Sequence, residues 1–154
     1  MDSGRYARID LFCGVVGRVW LAGVAPLAHC EGSRLKTGLI LLGHGSRDPQ
    51  WFAPMEAVAQ RLRLRPTAPQ VACAFLEMAA PTLPQCATEL IAKGVDYIRI
   101  FPLFLGVGKH LREDLPSLLT ALQNAHPKVS FAMLPAMGEQ QAVLDLLADI
   151  AVRD

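Results

Sequence analysis

Three side chains in this 154-residue chain, His44, Glu77 and His110, could do chemistry together, and they recur at 33-residue intervals. Each comes directly after, or a few residues after, an apolar run. Two imidazoles and a carboxylate are the nitrogen and oxygen donors that hold divalent transition metals. Three protein ligands with positions left open let such a metal meet a substrate. Plain structural readings stand beside this one. A loop histidine is more often solvated or hydrogen-bonded than ligated, and Glu77 could cap a helix start. The even interval is explained by one βα unit per residue, because the flanking sequences do not resemble one another as repeats would.

Competing chemistries lack required residues. Gly43-His44-Gly45 has Asp48 where a dinucleotide fingerprint needs its third glycine. Gly108-Lys109-His110 has Leu103 at the earlier glycine position of a phosphate-binding loop and no Ser or Thr at its end. Ser46 is not in a G-x-S-x-G elbow. Nucleotide binding and serine hydrolysis are therefore disfavoured. Arg47, Lys109 and Arg112 lie near the candidate residues, and guanidinium and ammonium groups are the usual partners of carboxylates. Ordinary surface charge explains them equally well. His126 reads as a solvated turn residue beside Pro127, and His29 lies in a segment with no legible pattern.

The elements that must position these residues begin at Thr37. Leu39–Leu42 is a short apolar run broken by Gly-His-Gly, as in a strand buried on both faces. Met55, Val58, Ala59 and Leu62 then keep the spacing of a one-faced helix, with Pro54 near its start. Val71–Leu76 reads as a second strand. Leu83, Cys86, Ala87, Leu90 and Ile91 form a second helical stripe that Gly94 stops. Tyr97–Phe104 is a third strand, running into a loop from Leu105 to His110. Leu115, Leu118, Leu119 and Leu122 mark a third helix, Val129–Leu134 a fourth strand, and Val143, Leu146, Leu147 and Ile150 a last helix. Strands alternating with helices at this spacing predict a three-layer α/β/α, flavodoxin-like fold with a four-stranded parallel sheet and helices on both faces. The three candidates then share the carboxyl edge, where open α/β sheets bind ligands.

Composition narrows the partners. From Thr37 onward there are 10 Lys+Arg against 11 Asp+Glu, and residues 1–36 hold five against three. Neither part has the basic excess of a nucleic-acid binder. The four cysteines, Cys13, Cys30, Cys73 and Cys86, lack zinc-like or C-x-x-C spacing, which makes a reducing cytoplasm the default. Arg18 splits the apolar run from Leu11 to Ala28, leaving neither a clean secretory signal nor a membrane span. Residues 1–36 read as an N-terminal extension, poorly ordered or arising from a start codon set too early. Residues 37–154 read as a single domain.

Several segments occur in the order and spacing of a known family: Leu42-Gly43-His44-Gly45-Ser46-Arg47-Asp48, Phe75-Leu76-Glu77 with Pro81, Pro102-Leu103-Phe104-Leu105, Gly108-Lys109-His110-Leu111 and Asp114-Leu115-Pro116. From Leu39 to the C-terminus the chain resembles the short sirohydrochlorin chelatases, class II chelatases of cobalamin and sirohaem biosynthesis. The resemblance implies a chelatase-type fold, a homodimer, and insertion of Co²⁺, or Fe²⁺ or Ni²⁺, into sirohydrochlorin without ATP. The metal is then a substrate, with no permanently bound cofactor. The resemblance also implies that His44 and His110 bind the incoming metal with Glu77 assisting. Ser46, Arg47, Lys109 and Arg112 would face the carboxylates of the tetrapyrrole. Residues 1–36 have no counterpart in the short form. The alternative is a non-catalytic cobalt- or nickel-binding delivery protein on the same fold.

Overall fold

A computed structural model of the chain describes residues 35–153. Of the expected extension at residues 1–36, all but Leu35 and Lys36 lie outside them. Four parallel strands form one sheet: β1 (Thr37–Gly43), β2 (Gln70–Phe75), β3 (Tyr97–Pro102) and β4 (Ser130–Met133), in the order β2-β1-β3-β4. They alternate with α1 (Ala53–Arg63), α2 (Leu83–Ala92), α3 (Lys109–Ala125) and α4 (Gln141–Ala151). No described helix is long and apolar enough to cross a membrane.

β1 is central because its residues suit burial on both faces. Ile40, Leu41 and Leu42 are each fully buried, and such side chains each contribute about 1.5–3 kcal/mol relative to exposure. Alternation along β1 divides the core in two. Ile40 and Leu42 join Ala74, Ile98 and Ile100 under α2 and α3, while Leu39 and Leu41 join Met55, Ala59 and Phe75 under α1. The carbonyl of Lys36 accepts from the amides of Asp96 and Tyr97 (3.1 and 3.4 Å), so the domain's hydrogen bonding starts one residue before Thr37.

Two expectations change. The segment read as a loop through His110 ends at Gly108, which sits at the N-cap of α3, so Lys109 and His110 are the first helical residues. The glycines had suggested a longer loop, but Gly108 is extended, as an N-cap is. The last helix forms where expected, yet no α4 residue is buried. One face of the sheet is covered over β1 and β2 by α1.

Candidate functional site

The site lies where the winding of the sheet reverses. From β1 the chain crosses to β2 on one side, and β3 and β4 follow on the other. Connections leaving β1 and β3 thus diverge, opening a crevice at their carboxyl ends. His44 follows β1 directly, and Phe104 follows β3 by two residues. Their rings meet with centroids 4.3 Å apart at 42°, so a buried phenylalanine backs the exposed imidazole.

Glu77 is brought to His44 by backbone. The β1–β2 ladder continues past both strands: Leu76 N–H donates to Gly43 O and Glu77 N–H to His44 O, each at 3.0 Å. Gly45 makes this closeness possible. Its φ is +100°, and a Cβ there would overlap the carbonyl oxygen of Glu77. Met78, next along, is held at φ +58°, an unusual conformation for a side-chain-bearing residue. Phe75 N–H donates to Pro81 O at 3.0 Å, closing the loop in which Ala80–Pro81 is cis.

His110 arrives from the third unit, in the first turn of α3. One helix face carries His110, Asp114, Ser117, Leu118 and Ala121 into the same wall. Together with His44, Leu76 and Glu77 they line an open cavity of about 600 Å³. All three expected residues thus line one space, and each is exposed to it. They surround the cavity loosely. Among the described residues no three His, Cys, Asp or Glu side chains are gathered into a metal cage.

Asp114 stands in the sequence only within the Asp114-Leu115-Pro116 segment and is not among the expected site residues. It sits one helical turn after His110, and the His-x-x-x-Asp spacing would have identified it had His110 been placed on a helix. Ser46, Arg47, Lys109 and Arg112 are not part of the wall. The hydroxyl of Ser46 accepts from Asp48 N–H at 3.0 Å, shaping the turn after β1. Arg47, Lys109 and Arg112 are exposed, next to the histidines in sequence. The α3 N-terminus adds backbone amides that favour anions nearby.

Cys73 and Cys86 lie off this edge. Burial pushes the Cys73 thiol up to about 11, with Glu56 adding and Arg63 opposing. Burial likewise raises Cys86 to about 11, with Glu89 adding and Lys93 opposing. At neutral pH both stay thiols, whereas metals and electrophiles take thiolates.

The domain is an open parallel α/β sheet of the chelatase-like kind, and a solved structure of that kind matches it. A CbiX protein from Marinobacter aquaeolei VT8 superposes with a TM-score of 0.66 at 28% identity, over 75% of this chain and 93% of that one. The CbiX family model matches residues 38–153, and the chain belongs to the CbiX family. Among curated relatives, the sirohydrochlorin cobaltochelatase of Methanothermobacter thermautotrophicus is 38% identical over 84 residues, which is 54% of this chain and 58% of that protein. The sirohydrochlorin cobaltochelatase of Methanocaldococcus jannaschii is 34% identical over 88 residues, 57% of this chain and 62% of the relative. The matched stretch thus spans about three-fifths of these relatives.

Proposed function

We propose that this chain is a sirohydrochlorin chelatase that inserts a divalent metal, foremost Co²⁺ and otherwise Fe²⁺ or Ni²⁺, into the tetrapyrrole without ATP. Its product would feed cobalamin or sirohaem biosynthesis in a reducing cytoplasm, and the working unit is a homodimer. The observation that carries this reading is the convergence of His44, Glu77 and His110 from three βα units on one open cavity in a CbiX-family chain. The catalytic domain is residues 37–154 together with the short lead-in at Leu35 and Lys36.

The chemistry requires a metal holder and a base, because the inner pyrrole protons must leave as the metal enters. Neutral imidazole serves either role near neutral pH. His44 and His110 present the metal; one of them, or Glu77, accepts one of the two inner pyrrole protons, and the other passes to solvent through the open cavity. Exposed side chains around an open cavity suit hand-over, since a donor set that encloses the ion would retain it. Nitrogen and oxygen donors accept cobalt, nickel and iron alike, and selection rests on geometry and supply. Arg47, Lys109 and Arg112, with the α3 N-terminus, supply positive potential for the substrate's carboxylates; Ser46 shapes the turn that carries Arg47.

Mixing purified protein, sirohydrochlorin and each metal, and following the visible absorption change against the spontaneous rate, tests the proposal. Acceleration with at least one metal is expected. Tight metal binding without acceleration would instead identify a delivery protein.

A further inference from the structure

The three donors that face the cavity are not held alike. His44 and Glu77 are tied to each other through backbone, since Glu77 N–H donates to His44 O at 3.0 Å. His110 has no such tie. Among the described residues, no backbone amide from Leu105 to Leu111 donates to a backbone carbonyl outside α3. The charged side chains that follow, Lys109, Arg112, Glu113 and Asp114, form no ion pair among the described residues. The segment's apolar contacts with the core come from Val107 and Leu111, both only partly buried.

Both ends of this segment are built to bend. Phe104 closes the fixed part. It is buried, and its carbonyl accepts at 2.9 Å from Gly138 N–H, in the 3-10 turn Met137–Glu139 that leads into α4. Beyond Leu105 come Gly106 and Gly108, where an added Cβ would meet nothing within 4 Å. Crowding therefore does not call for glycine at either position, and what glycine adds is backbone freedom. At the other end, Pro116 lies inside α3 and offers no N–H to the Arg112 carbonyl. The Ser117 hydroxyl donates to Glu113 O at 3.2 Å and the Thr120 hydroxyl to Pro116 O at 3.0 Å, back-bonds of a kind that bends helices. Leu115, directly before the proline, is the first buried residue of α3. Helices kink at such prolines.

We propose that Gly106–Asp114 is a hinged flap, turning on the glycine joint and on Pro116, that carries His110 toward and away from the fixed pair His44 and Glu77. Open, it leaves the cavity of about 600 Å³ accessible, with no three donors gathered into a cage among the described residues. Closed, it brings the third donor to a metal held by His44 and Glu77. Lys109 and Arg112 ride on the same flap, so carboxylates of the substrate draw it shut. Pro116 does not line the cavity and acts through His110, as a positioning residue. The purpose of the flap rests on the chelatase reading above. Its motion is measured without the tetrapyrrole, so the two fail separately.

The test measures distances in the full chain, with the four native cysteines replaced by Ser or Ala. Nitroxide labels at Gln50→Cys and Glu113→Cys span the fixed edge and the flap. Labels at Gln50→Cys and Gln123→Cys span the same edge and the part of α3 beyond Pro116. Pulsed electron resonance should give a distance distribution about twice as wide or more for the first pair. Pro116→Ala restores the helical bond to Arg112 O, and should narrow the first distribution to the width of the second with helical circular dichroism retained. Zn²⁺ is diamagnetic and takes the same nitrogen and oxygen donors; it should narrow the first distribution in the labelled parent and not in its His110→Ala variant. Equal widths for the two pairs would overturn the flap. A Pro116→Ala chain as broad as its parent would also overturn it, and would mark simple fraying of the helix start. No response to Zn²⁺, or one that survives His110→Ala, would overturn the flap as carrier of the third donor. Should Pro116→Ala not fold, the two label pairs and the Zn²⁺ response still decide the matter.

Discussion

At the scale of single residues, the proposed chemistry separates from stability. His44 and His110 are exposed at the cavity, and their removal costs the core little. His44→Ala and His110→Ala are each expected to lower catalysed metal insertion by about 100-fold or more, with unfolding free energy changed by no more than about 0.5 kcal/mol. A large loss of stability would return the histidines to a structural role. Asp114, a helical turn from His110, is a positioning residue in this reading. Asp114→Asn should reduce the rate by roughly 10-fold and shift the dependence on metal concentration. Gly45 couples fold to site. Gly45→Ala forces a side chain into φ +100° against the Glu77 carbonyl, and should cost about 1–3 kcal/mol in chemical denaturation while also impairing activity. The thiols test burial instead. Their folded-state values of about 11 exceed the ordinary 9.0, so their contribution to stability is complete below pH 9 and fades as pH rises through about 11. Urea midpoints should fall between those limits, and fall less in a Cys73→Ser, Cys86→Ala variant.

At the scale of elements, most of the fold was legible because a buried parallel strand leaves an unmistakable apolar run. Ile40 to Leu42 and Ile98 to Ile100 are strands in both sequence and structure, and the second helical stripe matches the buried Leu83, Cys86, Ala87 and Leu90. Three of the four titratable residues that line the cavity were also legible, since a polar residue just past such a run sits at the carboxyl edge. Asp114, named only within the Asp114-Leu115-Pro116 segment, was not singled out, because Lys109 and His110 were assigned to loop after Gly106 and Gly108. Apolar periodicity also identified α4 correctly as a helix. It could not reveal what the helix packs against, because the stripe is the same whether its partner is its own sheet or another surface. Gly138→Ala addresses the joint: a Cβ against Leu105 should loosen the turn before α4 and lower the midpoint of chemical denaturation.

For the molecule as a whole, fold and family agree, and the proposed activity follows from one edge of one sheet. The hydrogen bonds from Asp96 and Tyr97 to Lys36 indicate where a truncation should stop. A chain lacking residues 2–34 is expected to fold and retain activity, checked by thermal denaturation and the insertion assay, whereas cutting into Lys36 should lower stability. The central claim, that His44, Glu77 and His110 form a site for passing metal into a tetrapyrrole, is tested most directly by one comparison. Initial rates of Co²⁺ insertion into sirohydrochlorin are measured by visible absorption for the native chain and the His44→Ala, His110→Ala double variant, against the protein-free rate. The chelatase reading predicts strong acceleration by the native chain and the protein-free rate for the variant. A native chain no faster than the protein-free control with Co²⁺, Fe²⁺ and Ni²⁺, or a double variant as fast as the native chain, would contradict it.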